Sequence, residues 1–172
     1  KVADIVLSDR DRKYVVPSAP GKRFSSDTKV TDLLYKCYDE FSKGAESEAF
    51  EQIKERYNLI IEGLSLDLSL EREFELLKLR FIGRAGRDYA ASRGEYLNGI
   101  ILAKYLGFEF IDAADVIFFK NDGTFDSEKT NDIMSERLKE CEYAVIPGFY
   151  GKMPNDTIKT FSRGGSDITG AI

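Results

Sequence analysis

Five consecutive residues, Arg163-Gly164-Gly165-Ser166-Asp167, place a guanidinium, two glycines, a hydroxyl and a carboxylate just where helical spacing begins. Glycines let a backbone approach a ligand closely, and a helix start offers unpaired N–H groups and a field that favours anions. Arg163 can fork onto a carboxylate or phosphate, and Asp167 can hold an ammonium. One short loop could thus grip both charged ends of an amino acid. Gly-Gly-Ser-Asp is also ordinary turn and cap chemistry, so the segment gains meaning only from its company.

That company is a glutamate in Ser92-Arg93-Gly94-Glu95, an early loop Pro17-Ser18-Ala19-Pro20-Gly21-Lys22-Arg23 followed by Thr31, and a late run Pro147-Gly148-Phe149-Tyr150-Gly151. Glu95 is an acceptor for an ammonium or simply an acid suited to a helix start. Ser18 and Thr31 offer hydroxyls beside small residues that permit close approach, or form a plain strand-to-helix turn. The basic residues Lys22 and Arg23 read as a solvent-facing loop, with contact to nucleotide phosphates as the alternative.

The elements that must position these groups follow from the hydrophobic pattern. Residues 1–8 read as a helix remnant and 14–16 as a buried strand stopped by Pro17 and Pro20. Helices are expected from a cap at Thr31 to about residue 44, over 46–63 and over 70–91. Arg80, Arg84 and Arg87 would form a solvated row on the last of these. A further helix is expected to open at Ser92–Glu95 and end at Gly107. Strands follow at 108–112 and 116–119, with a turn at Asn121-Asp122-Gly123. An amphipathic helix is expected over 127–141, and a buried strand over 143–146 stopped by Pro147-Gly148. Short apolar runs alternating with helices argue an α/β fold with a mainly parallel sheet. Ligands bind such sheets outside the carboxyl ends of the strands. The loops 17–29 and 147–166 are therefore expected to share one site.

The 172 residues, 42% hydrophobic and 32% charged, suit one domain with a core. A net charge of −5 argues against a general nucleic-acid binder, and no apolar run has membrane-spanning length. The absence of a signal-like segment and the two well-separated cysteines fit a cytoplasmic, reduced protein. With no histidine, histidine triads and most zinc sites are excluded. What remains favours phosphoryl transfer, where positioning and charge stabilisation do most of the work. The first and last residues read as parts of helices cut short, so a longer parent is expected.

The order Ser-Ala, Ser-Arg-Gly-Glu, Gly-Phe-Tyr-Gly, then Arg-Gly-Gly-Ser-Asp resembles aspartate kinase, of the amino-acid kinase superfamily, from Val15 to Ile172. The resemblance implies a three-layer αβα sandwich of the carbamate-kinase type, incomplete here. Residues 1–172 would form a partial kinase domain carrying the aspartate-binding portion. It implies phosphoryl transfer from ATP, with Mg²⁺, to the β-carboxylate of L-aspartate, in lysine, threonine and methionine biosynthesis. Ser18, Thr31, Glu95, Phe149, Arg163, Gly164, Gly165, Ser166 and Asp167 would bind substrate, with Glu95 on the α-ammonium and Arg163 on a carboxylate. No catalytic residue and no protein-held metal are expected within the chain. The family's Lys-Phe-Gly-Gly strand, its nucleotide-binding half and its ACT domains find no counterpart here, so the chain alone is expected to be inactive. A homo-oligomer is implied, with no nucleic-acid or membrane partner. The alternatives are a non-catalytic aspartate-binding module and a kinase of glutamate or acetylglutamate.

Overall fold

The computed structural model describes residues 1–162 and 164–172. Its helices are α1 Val2–Leu7, α2 Val30–Phe41, α3 Glu48–Gly63, α4 Glu71–Ile82, α5 Arg87–Leu106, α6 Ala113–Val116, α7 Ser127–Lys139 and α8 Gly165–Ala171. Its strands are β1 Tyr14–Val15, β2 Glu109–Phe110, β3 Ala144–Val145, β4 Tyr150–Lys152 and β5 Ile158–Thr160.

A parallel sheet in the order β1-β3-β2 pairs Tyr14 and Glu109 with Ala144, and Val15 and Phe110 with Val145. The central strand faces both ways because side chains alternate along it. Val145 packs with Ala3, Val6, Ala103 and Leu106 of α1 and α5. Ala144 and Ile146 pack with Met134 of α7 and with Ile117, Phe119 and Tyr150 on the other side. Helices therefore cover both faces, as an α/β layered fold requires. A third core joins α2, α3, α4 and α5 through Leu34, Ile53, Tyr57, Phe74 and Phe81. Burying a side chain such as Phe74 or Phe81 contributes about 1.5–3 kcal/mol. Among the described residues no helix is long and apolar enough to cross a membrane.

Several expectations are corrected. Tyr14 is 45% exposed, because β1 lies at the edge of the described sheet instead of inside it. Helix α2 begins at Val30 after Lys29, so Thr31 sits within the first turn and caps nothing. The helix expected over 70–91 breaks after Ile82, where Arg84 (φ 56°) and Gly86 (φ 99°) take left-handed or otherwise positive φ that ends helical propagation. Helix α5 then starts at Arg87, and Ser92–Glu95 lies inside it. The arginine row dissolves with that break. Arg87 pairs with Asp39 at 2.7 Å and stacks on Tyr35, while Arg84 donates to the Ser42 carbonyl at 3.3 Å.

Of the strand expected at 116–119, Val116 instead ends the short helix α6, whose first turn is capped by Asp112 Oδ1 accepting from the Ala114 N–H at 3.0 Å. Only isolated bridges remain, at Phe118 and Phe119. The antiparallel hairpin β4–β5 was not expected within the loop 147–166. Its strand β4 runs so close to the preceding segment that a Cβ on Gly151 would lie 2.5 Å from the Ile117 carbonyl oxygen. Gly151→Ala must move backbone, and we expect it to cost about 1–3 kcal/mol, read as a lower urea midpoint with an unchanged slope.

Candidate functional site

The loops that leave β1 and β3 meet at the carboxyl end of the sheet, as expected. The Ile146 N–H donates to the Val15 carbonyl at 3.0 Å and the Gly148 N–H to the Pro17 carbonyl at 3.1 Å. Helix α5 lies against both loops. A Cβ on Gly94 would lie 2.9 Å from Cβ of Ala19, and one on Gly99 would lie 2.9 Å from Cγ of Pro147. Between these contacts Asn98 Nδ2 donates to the Ser18 carbonyl at 2.7 Å, and the Tyr57 hydroxyl donates to the Gly94 carbonyl at 2.8 Å.

Glu95 sits within this arrangement, 8% exposed. Its Oε2 has no hydrogen-bond partner among the described residues. Burial pushes its carboxyl up to about 7, against the opposing pull of the Ala19 N–H, its own N–H and the Arg93 charge. The expected helix-start role for this glutamate fails, since it lies in the third turn of α5. A buried carboxylate oxygen with no donor is instead a place for an external cation with N–H groups to offer.

The late segment packs on itself at the end of β3. Phe149 takes φ 84°, a strained conformation for a bulky residue. Three features hold it. Its N–H donates to Thr169 Oγ1 at 3.2 Å, and its carbonyl accepts from the Phe161 N–H at 2.9 Å. Gly165 packs so closely that a Cβ there would lie 2.8 Å from Cα of Phe149. Ser166 lies against Gly148, where a Cβ would come within 2.7 Å of Cα of Ser166. Phe161, stacked near Phe119 and Phe125, anchors the base of the segment. Gly164 adopts the left-handed conformation that starts α8 (φ 57°), and Asp167 is exposed. Arg163 lies outside the described residues. A cavity of about 660 Å³ touches Ser166 and Asp167 but extends toward Tyr14, Val16 and Met134, away from Glu95.

Of the predicted residues, the structure therefore gathers Ser18, Glu95, Phe149, Gly165 and Ser166 around the two strand ends. Thr31 is half-buried beside Val30, which packs near Gly94, so it borders this group. The loop's anchor was missed in the sequence. Arg56, 2% exposed, pairs with Asp27 at 2.8 Å and donates to the Thr28 carbonyl at 3.0 Å and to the Gly21 carbonyl. A charged residue three after Ile53 and four before Ile60, on an otherwise apolar stripe, was the available signal. Arg23 makes two side-chain hydrogen bonds to the same Asp27 yet stays half exposed, as the solvent-facing reading of this loop expects.

A parallel α/β sheet with helices on both faces and a buried unpaired glutamate near its strand ends are consistent with an incomplete α/β amino-acid kinase fold. No family model matches the chain. Over 188 aligned positions, covering all of the chain, it is 36% identical to aspartokinase 3 of Bacillus subtilis (strain 168), of which it spans 41%. It matches the crystal structure of Clostridium acetobutylicum aspartate kinase with a TM-score of 0.94 at 51% identity, covering 99% of this chain and 40% of that one. Escherichia coli aspartokinase III in complex with aspartate and ADP matches at a TM-score of 0.77 and 24% identity, a likeness of fold, over 98% of this chain and 41% of that one. In sequence and fold the chain is thus similar to the corresponding stretch of these aspartate kinases. It spans about two fifths of the length of the relatives it matches.

The loop anchor makes a testable statement about pH. Hydrogen bonds from the Arg23 side chain and backbone, with the charge of Arg56, hold the Asp27 carboxyl well below the usual carboxylate range, although burial opposes them. A depressed folded pKa stabilises fully above the unfolded value and is lost as pH falls toward the folded one. Stability should therefore decline on acidification below about pH 4. Asp27→Asn should flatten that decline in urea midpoints measured across pH.

Proposed function

We propose that the protein containing this chain transfers the γ-phosphoryl group of ATP to the β-carboxylate of L-aspartate, giving 4-phospho-L-aspartate, and that this chain holds the aspartate. The observation that carries the reading is the buried, unpartnered Oε2 of Glu95 at the carboxyl end of the sheet. An α-ammonium supplies the missing N–H donors and the missing positive charge at once. Ser18 and Ser166 neighbour the contact by which the Gly148 N–H joins the Pro17 carbonyl, which supports assigning them, with Phe149, to the same pocket. Arg163, by its place in the Arg-Gly-Gly-Ser-Asp motif, is assigned to a substrate carboxylate, with Asp167 and Gly164 completing that loop. Thr31 borders the pocket from α2.

The acceptor carboxylate is already an anion and needs no base. Its oxygen forms a bond to the γ-phosphorus while the bond from that phosphorus to the β,γ-bridging oxygen breaks, and ADP leaves with those electrons. The metal ion enters as part of the nucleotide substrate. This chain's share of catalysis is to fix the acceptor's position and orientation, which converts a bimolecular encounter into a local one. The relatives' name, aspartokinase, supports the choice of acceptor over glutamate or acetylglutamate.

Calorimetric titration of the chain with L-aspartate, L-glutamate and N-acetylglutamate tests the assignment. Aspartate should bind best, and Glu95→Gln should weaken it by about 10–100-fold. Because the free carboxyl titrates at about 7 and only the ionised form pairs with ammonium, affinity should rise with pH and level off above that value. From one unit below to one unit above, the gain should be about tenfold, and Glu95→Gln should abolish it. Aspartate binding that is indifferent both to pH in this window and to Glu95→Gln would sink the reading. Binding of aspartate by a protein that is catalytically silent even when the remaining three fifths of the relatives' length is supplied would leave a binding module instead.

A further inference from the structure

We infer that the cavity between α4, the first turns of α5 and the tip of the β4–β5 hairpin is a binding site for a small oxyanion, phosphate or carboxylate, held by the free edge of the Arg93 guanidinium. Arg93 is 6% exposed and forms no ion pair among the described residues. A buried cation without a counter-charge is costly, so its surroundings ask for an anion.

Those surroundings fix the guanidinium in place and leave one edge open. Tyr96 and Tyr89 lie 4.3 and 4.5 Å from its carbon to their ring centroids, and Tyr150 lies at 5.2 Å. These rings offset part of the burial cost. Ser92 Oγ accepts from Nε at 3.1 Å and from Nη2 at 3.0 Å, and its own hydroxyl donates to the Tyr89 carbonyl at 2.8 Å. With one edge taken by Ser92, the edge formed by Nη1 and the second N–H of Nη2 remains, and Nη1 has no protein acceptor among the described residues. Arg93 lines a cavity of about 360 Å³. A planar fork with two parallel N–H groups matches a carboxylate or phosphate.

The other charges of the cavity favour an anion. Arg80 and Lys152 line it as well. Of its two carboxylates, Asp112 accepts through Oδ1 from the Tyr150 hydroxyl at 2.6 Å and from the Ala114 N–H, so Arg80, Arg93 and Lys152 face two carboxylates and leave the balance positive. Asp156 is strongly exposed and sits 3.7 Å from Lys152. The site is distinct from that of Glu95. Two residues along a helix turn the side chain by about 200°, so Glu95 faces the strand-end loops and Arg93 faces the hairpin.

Titration of the chain with inorganic phosphate, and separately with succinate, at constant ionic strength set with chloride, tests the inference and separates the two sources of oxyanion. Either ligand should bind in the millimolar range or tighter, against chloride. Arg93→Lys, which keeps the charge but loses the fork, should weaken binding about tenfold or more. Arg80→Ala with Lys152→Ala, both at solvent-accessible positions, should weaken it several-fold while leaving the urea midpoint near that of the parent, and this pair decides the matter if Arg93→Lys does not fold. Absence of binding by both anions up to about 10 mM overturns the inference, as does binding that these variants leave unchanged.

Discussion

Everything at the carboxyl end of the sheet depends on how closely α5 can lie against the two loops that leave β1 and β3. Gly94 meets Ala19 and Gly99 meets Pro147 at distances that leave no room for a methyl group. Five residues apart, these two contacts seat one helix on both loops. Tyr57 also fixes the same helix, through the Gly94 carbonyl. The first loop is then held at its far end by the Arg56–Asp27 pair. Helix position, loop position and the burial of Glu95 are therefore one fact, produced by packing at two glycines.

The same helix carries a buried anion and a buried cation that do not neutralise each other. Glu95 and Arg93 are two positions apart, so helical geometry turns them to different sides. The fold bears two desolvated charges and supplies a full counter-charge to neither. Each environment is incomplete in a complementary sense: N–H donors are missing at Glu95, and acceptors are missing at Arg93. Tyrosine faces and the Ser92 hydroxyl stabilise the cation, while the anion responds by holding its proton more tightly. Both are arrangements that a ligand would complete.

Much of this architecture was legible in the sequence. Pro17 and Pro147 marked the ends of the two strands whose loops converge, and the continuous apolar run around Val145 marked the strand buried on both faces. What was misread has local causes. Ser92–Glu95 read as a helix start, yet it lies within α5, where Gly94 leaves room for the neighbouring loop. The true boundary, from Gly83 to Gly86, was hidden because apolar spacing continues across it to Tyr89. Asp112 caps a helical turn that runs into Val116, so the apolar run from Val116 to Phe119 keeps only isolated bridges at Phe118 and Phe119. The hairpin of β4 and β5 was obscured because its strands are three residues each and half polar. Glu95 was singled out for its type, but its burial, and so its chemistry, is a tertiary property that spacing does not reveal.

The crowding at Gly94, Gly99, Gly148, Gly151 and Gly165 gives this region an asymmetric response to mutation. In most cores the damaging change removes atoms and leaves a void. Here every amino-acid replacement at five positions adds atoms where there is no space, because glycine has nothing to lose. Genetic drift at these positions therefore has no conservative direction. At Gly94 and Gly99 the obstacle is a side chain, Ala19 or Pro147, that could shrink first, whereas at Gly148, Gly151 and Gly165 it includes backbone that no substitution of the partner removes.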